Sequence, residues 1–310
     1  MKRGWHNYLI YISLGFLVFT LIKADYLKIP TIYSDMGLIL SFFFLFLGFI
    51  AKAIAQQQFL SKSGCFISIY HSLSMLGLNM FGKYIPGKMW MALGKAAYVA
   101  AKSNYKFVDL SVLFVQAQVI SIWCGLILGI LGLLINNALD YLSWIGLATL
   151  TGLTLILFSQ SVNNAAEKLI HKLSKKHINI PKLTARTTVK VLPWFLSIWL
   201  LWGAGFYLFA ASSTHHGIPS STVFCFPLAG TLGILFLLAP GGVGIRESII
   251  VGYLSLIHFN LTEAVTIATA ARLWFLIGEL VLFAVGFIFD RLMTHVEYFK
   301  NKQIDRKSVV

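Results

Sequence analysis

Long apolar runs dominate this chain and restrict what it can fold into. Several of them reach about 18–25 residues, which is enough for a helix to cross the ~30 Å hydrocarbon core of a bilayer. The chain is 58% hydrophobic and 12% charged, and that charged fraction is about half of what an ordinary soluble domain carries. The sequence therefore predicts an all-α, polytopic helical membrane protein, with residues 1–310 forming a single transmembrane domain.

Two of the apolar segments are too short to cross a bilayer. The segments 88–101 and 243–257 would be only about 21–22 Å long as helices. Each follows a proline–glycine break, Pro86-Gly87 or Pro240-Gly241-Gly242, and proline is expected to interrupt a helix because it removes a backbone donor and clashes with the preceding turn. The full set of segments is 8–24, 36–55, 65–82, 88–101, 108–135, 141–160, 191–212, 219–239, 243–257 and 264–289.

The two breaks also predict an internal repeat. An offset of about 155 residues places 36–55 on 191–210 and 108–135 on 263–290. Halves of about 1–137 and 138–310 would then each contain a helix, a loop, a helix, a broken hairpin and a further helix. If each hairpin enters and leaves on one side, the fold has six full spans plus two re-entrant hairpins; if the hairpins span fully, it has up to ten crossings.

The uneven distribution of basic residues among the loops sets the expected orientation. Lysine and arginine are concentrated at the N-terminus, in the turns 52–64 (with Lys52) and 102–106, in the loop 161–190 and in the C-terminal tail, whereas the opposite loops hold only Lys28. The positive-inside rule then places both termini in the cytoplasm. Each half would make an odd number of crossings, so the halves would be inverted, as in transporters that bind substrate near the midplane. The net charge of +14 fits this topology and anionic lipid headgroups, and no nucleic-acid partner is expected.

Both breaks carry the features of an anion site. Each opens a helix, whose free N–H groups and positive dipole end attract anions. Lys83 and Lys88 flank Pro86-Gly87, and Arg246 closely follows Gly241-Gly242. The pattern predicts a site for a lipid phosphate. The alternative is an ordinary turn whose lysines extend to the headgroups.

Further ionisable residues stand inside apolar segments, where a charge needs a counter-charge, a water-filled cavity or a ligand. Lys95 lies in the middle of its segment, and Glu247, Arg272 and Glu279 are candidates for a charge network. Pairing among these three and Arg246 would be a purely structural role. However, the cations expected at membrane depth outnumber the carboxylates there. The five cations are Lys83, Lys88, Lys95, Arg246 and Arg272, and the two carboxylates are Glu247 and Glu279. The excess of three predicts that an anionic substrate completes the set.

Two polar residues in apolar segments, His71 and Asn79, are expected to make hydrogen bonds in the bundle interior. The three cysteines have no metal-ligand spacing, and the sequence contains no nucleotide-binding phosphate loop, no zinc-protease motif and no serine-nucleophile motif. We therefore expect no cofactor, no metal, no catalytic residue and no enzymatic activity.

Three stretches carry a resemblance to a known family: NMFGKYIPGKMW (79–90), APGGVGIRE (239–247) and ARLWFLIGEL (271–280). In this order and spacing they resemble the lysylphosphatidylglycerol synthase transmembrane-region family, also called flippase-like or dolichol-phosphate-mannose-flippase-related. The resemblance implies an integral inner-membrane protein that moves or handles polar lipids. Multiple peptide resistance factor proteins couple such a region to a soluble synthase domain, which is missing here, so synthase activity is not expected. The PGKMW form resembles stand-alone members linked to surface-glycan or lipid-linked-sugar pathways.

Together these observations predict a flippase-like transporter of a polar anionic lipid in the inner (plasma) membrane. The lipid would be a phospholipid or a polyprenyl-phosphate-linked sugar, and glycan-biosynthesis proteins are candidate partners. Two alternatives remain: a non-transporting subunit that anchors a glycan- or lipid-synthesis complex through the loop 161–190, and a membrane transferase that acts on a lipid. The transferase would need Glu247 or His71 as a catalytic group, and neither has a recognisable partner motif. The oligomeric state stays open.

Overall fold

The computed structural model describes residues 30–85, 90–138, 141–159, 185–236 and 240–307. Within these ranges all regular structure is helical. The predicted first helix, 8–24, and most of the basic loop lie outside the described residues. The α-helices are α1 Asp35–Lys62, α2 Ile69–Leu78, α3 Trp90–Lys102, α4 Phe107–Ile135, α5 Tyr141–Phe158, α6 Ala185–Ser212, α7 Cys225–Leu235, α8 Ile245–Leu256 and α9 Leu261–Lys307. Short 3₁₀ turns occur at Met80–Tyr84, Ser220–Phe224 and Pro240–Gly242.

Four of the described helices are long and apolar enough to cross a membrane. They are α1, α4, α6 and the part of α9 from Leu261 to Thr294, with 28 to 34 residues each. About 20 residues suffice for a span, so these helices can cross a bilayer at a tilt. The prediction of a polytopic, all-helical membrane protein is confirmed.

The four shortest helices form two hairpins, α2 with α3 and α7 with α8. With 10 to 13 residues each, they are about 15–20 Å long, roughly half to two-thirds of a hydrocarbon core. At the open end of the first hairpin, the Tyr105 hydroxyl donates to the Gly64 carbonyl at 3.1 Å. At the open end of the second, the Tyr253 hydroxyl donates to the Ser221 carbonyl at 2.7 Å. These two hydrogen bonds join the segments that enter and leave each hairpin.

The helix contacts of one predicted half have counterparts in the other half, with α1 corresponding to α6, α2 to α7 and α4 to α9. α1 packs along α6, its predicted counterpart, while α2 packs on α9 and α7 packs on α4. Glycines permit both of the latter contacts. A Cβ on Gly77 would lie 2.4 Å from the Leu282 carbonyl oxygen, and one on Gly129 would lie 2.8 Å from Leu228 Cδ1. Each hairpin thus packs against a long helix that belongs to the other predicted half.

Aromatic side chains fill the middle of the bundle where α1, α6, α7 and α9 meet. We call Phe49, Trp202, Phe226 and Phe275 the aromatic centre. The ring of Trp202 lies 5.3 Å from that of Phe49 and 5.1 Å from that of Phe275, and the rings of Phe226 and Phe275 are 5.3 Å apart. Such edge and tilted contacts stabilise aromatic pairs beyond the area that they bury. The rings of the aromatic centre lie next to the charged residues described below.

Two predicted boundaries are wrong, and both errors concern basic residues. Lys52 does not lie in a turn, because α1 continues to Lys62. Arg186 and Lys190 do not lie in the basic loop, because α6 begins at Ala185. In both cases a helix extends beyond its apolar run through polar residues, and a hydropathy profile does not detect this continuation.

Candidate functional site

The tips of the two hairpins meet inside the bundle. The first tip is Met80–Tyr84, the second tip is Pro240–Gly242, and the two are in contact. Gly241 has φ +59° and Gly242 has φ +74°, in the left-handed region that glycine adopts most easily. A Cβ on Gly241 would lie only 2.7 Å from the ring of Tyr84. The glycines therefore both turn the chain and allow the aromatic ring to approach the backbone.

The second tip is held by Arg272 on α9. Its Nη1 donates a 2.9 Å hydrogen bond to the Gly241 carbonyl and lies 3.6 Å from Glu247 Oε1. Glu247 Oε2 in turn accepts a 2.7 Å hydrogen bond from the Gly244 N–H at the start of α8. A carboxylate in the first turn of a helix also interacts favourably with the helix dipole. The predicted pairing of Arg272 with Glu247 is thus present.

The first tip is held by Glu279, also on α9. This fully buried carboxylate forms an ion pair with Lys83 and accepts a 3.1 Å hydrogen bond from the Tyr84 hydroxyl. A buried carboxylate is stable only when it is paired and hydrogen-bonded, and these two partners meet that need. Arg272 and Glu279 are seven residues apart and so lie near one face of α9, from which they contact both tips.

Arg246 lies in the first turn of α8 and is 8% exposed. Its guanidinium stands 4.2 Å from the ring centroid of Phe226 and 4.5 Å from that of Phe275. Cation–π contacts of this kind are favourable, but they leave N–H donors unused. Among the described residues, no hydrogen-bond acceptor reaches Arg246 Nη2. A buried guanidinium with an unused donor is a ready partner for an anionic oxygen.

Two lysines extend this charged region toward α1 and α3. Lys95 on α3 is 2% exposed. Lys52 on α1 is half-buried, and its ammonium lies 5.1 Å from the ring centroid of Trp202. We call Lys52, Lys83, Lys95, Arg246 and Arg272 the cationic cluster.

Lys52 is a site residue that the sequence analysis missed, although a signal for it exists. The buried positions of α1 include Ser41, Leu45, Phe49, Gln56 and Phe59, spaced by three, four or seven residues. Residue 52 falls on the same face, three after Phe49 and four before Gln56. Continuing the helical periodicity past the end of the apolar run would have placed Lys52 on the core-facing side of α1.

The remaining predicted site residues have varied positions. Pro86, Gly87 and Lys88 lie outside the described residues. Asn79 is buried at the end of α2, donates to the Met75 carbonyl at 2.8 Å, and packs closely against Gly94 of α3. His71 stands in the first turn of α2, with its Nδ1 2.8 Å from Ser68 Oγ. It lies at the open end of the hairpin, and the structure does not bring it to the tips.

The charges of the described residues do not balance at the tips. The cationic cluster has five members, and the carboxylates that bond to it are Glu247 and Glu279, which leaves an excess of three. Lys52 here replaces Lys88 of the sequence-based count, because Lys88 lies outside the described residues. Ion pairing accounts for Lys83 and Arg272. It leaves Lys52, Lys95 and Arg246 without a bonded carboxylate in the described part of the chain. No group of three or more potential metal ligands occurs there either.

These features define a polytopic helical membrane protein with a buried cationic cluster between two hairpin tips. The chain matches the family described as lysylphosphatidylglycerol synthase TM region over residues 8–286, and it therefore belongs to that family. The match includes both tips and the charged face of α9, and it confirms the family that the three sequence stretches indicated. Membership assigns the chain to membrane proteins of lipid-related processes. A search of curated proteins gave no match.

Proposed function

We propose that this protein is a flippase-like transporter that moves a polar lipid with an anionic headgroup across the membrane. The observation that carries the proposal is Arg246, which is buried where the two tips meet and has a guanidinium donor that no acceptor in the described part of the chain reaches. A phosphate oxygen would supply the missing acceptor and the missing negative charge. Because the lipid tail can stay in the hydrocarbon, only the headgroup needs a polar site.

The surroundings of Arg246 suit the oxygens of a phosphate group. Its planar guanidinium can donate two parallel hydrogen bonds to phosphate oxygens. It stands at the N-terminus of α8, where the helix dipole adds attraction for an anion. Lys83 lies at the facing tip, and about a fifth of its side chain is exposed. It could therefore transfer its ammonium from Glu279 to an arriving headgroup.

The packing of the helices supports an inverted repeat as the basis for transport. Exchange of the halves converts the α2–α9 contact into the α7–α4 contact and leaves the α1–α6 contact in place. In the proposed topology the hairpins are re-entrant, the first from the cytoplasm and the second from outside, and both termini are cytoplasmic in the plasma membrane. Rocking of one half against the other would open the tips alternately to the two sides.

Both carboxylates near the tips are engaged by basic partners, which favours a transporter over a transferase. Glu247 is held by Arg272 and by the start of α8, so it is not placed to act as a general base. Glu279 is fully buried against Lys83 and Tyr84. Enzymatic activity is therefore not part of the proposal.

The test is a lipid-translocation assay with purified protein in vesicles. Fluorescent phosphatidylglycerol and a polyprenyl-phosphate-linked sugar would be supplied, and their movement between leaflets followed by accessibility to an impermeant quencher. We expect protein-dependent movement of at least one of them. Arg246→Gln should reduce the rate about tenfold or more, the equivalent of losing one charge-assisted hydrogen bond. Arg186→Gln, at an exposed position of α6, is the matched control.

Two results would refute the proposal. One is that neither lipid moves in vesicles that contain correctly folded protein. The other is that Arg246→Gln moves lipid at the same rate as Arg186→Gln, because the buried guanidinium would then play no part in translocation.

A further inference from the structure

Two buried tyrosines, one on the second helix of each hairpin, form hydrogen bonds to polar side chains on other helices. The hydroxyl of Tyr98 on α3 donates a 2.7 Å hydrogen bond to Asp290 Oδ1 on α9. The hydroxyl of Tyr253 on α8 accepts a 3.0 Å hydrogen bond from Nδ2 of Asn136, the residue that follows α4. We call the bond between Tyr98 and Asp290 the α3–α9 contact, and the bond between Tyr253 and Asn136 the α8–α4 contact.

The two contacts correspond to each other in the repeat predicted from the sequence. Tyr98 and Tyr253 are 155 positions apart in the chain, and their partners Asn136 and Asp290 are 154 positions apart. Each tyrosine belongs to one predicted half, whereas its partner stands on or directly after a long helix of the other half. Both contacts therefore join the two halves.

Each contact connects two helices whose backbones are not closely packed together. α3 packs chiefly along α4, and α8 packs along α7 and α9, whereas in the described part of the chain neither α3 with α9 nor α8 with α4 forms an extended interface. Polar side chains strengthen both contacts. Lys102 pairs with Asp290, and Ser221 Oγ donates a 3.0 Å hydrogen bond to Asn136 Oδ1. Loss of these polar bonds would let the connected helices separate without disrupting a packed interface.

The α3–α9 and α8–α4 contacts lie toward opposite ends of α4. This helix has 29 residues and is therefore about 43 Å long. Asn136 directly follows its last residue. Tyr98 is four residues before the end of α3, and only residues 103–106 separate α3 from α4. This short chain path keeps Tyr98 near the start of α4.

Helix spacing relates both contacts to the charged residues at the tips. Tyr253 follows Arg246 by seven residues on α8, so the two side chains stand near one face of the helix and about 10 Å apart along its axis. Asp290 follows Glu279 by 11 residues on α9, about 16 Å along that helix. Separation at either contact would therefore open the bundle within a few helical turns of the tips.

We propose that the α3–α9 contact and the α8–α4 contact are the two gates of the transporter and open in alternation. Rocking of the halves about one contact separates the helices that the other contact connects. With both contacts formed, the bundle is closed at both ends. In the proposed topology the α3–α9 gate faces the cytoplasm and the α8–α4 gate faces the outside. This inference rests on the proposed function, because it names the parts that expose the cationic cluster to each side.

Distances between spin labels, measured by double electron–electron resonance, test the inference. The full-length protein would be purified without its native cysteines and placed in phosphatidylcholine nanodiscs. Labels at Asn104 and Thr294 report on the α3–α9 gate, and labels at Ile135 and Leu256 report on the α8–α4 gate. All four positions are exposed, so a label does not disturb the interior.

Two substitutions each remove one hydroxyl and keep the aromatic ring. Tyr98→Phe should increase the population with a longer distance between labels 104 and 294 about fivefold or more, the factor expected for one lost hydrogen bond. It should leave the distance between labels 135 and 256 unchanged. Tyr253→Phe should have the opposite effect. The matched control is Tyr70→Phe, at an exposed position of the same hairpin as Tyr98, which should change neither distance.

The inference is overturned if either gate variant lengthens both distances or neither, or if both variants lengthen the same one, because the bonds would then be structural supports and not separate gates. An equal effect of Tyr70→Phe would also overturn it. These distances are measured without lipid transport. Failure here would leave Arg246-dependent translocation, and with it the proposed function, intact, whereas opposite shifts in a protein that moves no lipid would refute only the proposed transport.

Discussion

Lys83 and Glu279 are 196 residues apart in the chain and form an ion pair where the first tip packs on α9. Seven residues before Glu279 on the same helix, Arg272 bonds to the backbone of the second tip at Gly241. One helix therefore fixes the position of both tips. Any change in the relation between the tips must also change the contacts that α9 makes.

Removing the Glu279 charge should destabilise the protein. Glu279→Gln leaves the Lys83 ammonium without its counter-charge, and breaking a buried pair in this way costs about 3–5 kcal/mol. Unfolding in detergent, followed by heat or denaturant, would measure the loss. Asp290→Asn is the control, because Asp290 pairs with Lys102 while about a quarter of each side chain is exposed, and asparagine keeps an acceptor for the Tyr98 hydroxyl. We expect this substitution to cost less stability than Glu279→Gln. Equal effects of the two substitutions would contradict the prediction.

Removing both members of the buried pair should restore part of that stability. In the double variant Lys83→Met with Glu279→Leu, no buried charge is left unpaired, and apolar replacement of a buried pair is often neutral or stabilising. We expect the double variant to be more stable than Glu279→Gln by about 2 kcal/mol or more, yet to translocate lipid poorly. A double variant that is less stable than Glu279→Gln would show that the pair contributes more than charge compensation.

Small residues at the α2–α9 contact should be essential for packing. In Gly77→Ala, the new Cβ would lie 2.4 Å from the Leu282 carbonyl oxygen, so the helices must separate at a cost of about 1–3 kcal/mol. Gly252→Ala on α8 is the control, because nothing lies within 4 Å of its Cβ position and alanine favours a helix. The comparison of their melting temperatures checks the prediction, which fails if Gly77→Ala is as stable as Gly252→Ala.

The second tip should not tolerate a side chain at its turn. Gly241 has positive φ, and a Cβ there would lie 2.7 Å from the Tyr84 ring and 2.9 Å from Arg272 Nη2. Gly241→Ala should therefore cost about 1–3 kcal/mol in backbone strain and displace Arg272, with loss of translocation. Gly217→Ala, which has nothing within 4 Å, should retain both stability and translocation. Normal translocation by Gly241→Ala would show that the contact between the two tips is not required for transport.

The proposed orientation predicts a labelling pattern in intact cells. A cysteine at Gly217, between α6 and α7, should react with an impermeant maleimide from outside. A cysteine at the exposed Lys106, between α3 and α4, should react only after the membrane is permeabilised. The native cysteines Cys65, Cys124 and Cys225 are buried and should contribute little background. The reverse pattern would overturn the orientation that the positive-inside rule predicts.

The features that the sequence alone predicted correctly depend on local signals. A proline–glycine break is visible in the sequence, and so is a charge such as Arg246 or Glu279 inside an apolar run. The structure adds the partners of these residues, and those partners depend on tertiary packing. No local pattern relates Lys83 to Glu279 or sets Tyr84 against Gly241. Lys52 was misplaced because hydropathy marks where an apolar run ends, whereas the helix itself continues.

The packing of the first hairpin on α9 also has a consequence for biosynthesis. Lys83 leaves the ribosome long before its counter-charge at Glu279 is made, and an uncompensated ammonium at membrane depth costs several kcal/mol. In the proposed topology we therefore expect the first hairpin to insert stably only after the last helix has been synthesised. We expect a chain truncated before α9 to leave this hairpin less stably inserted.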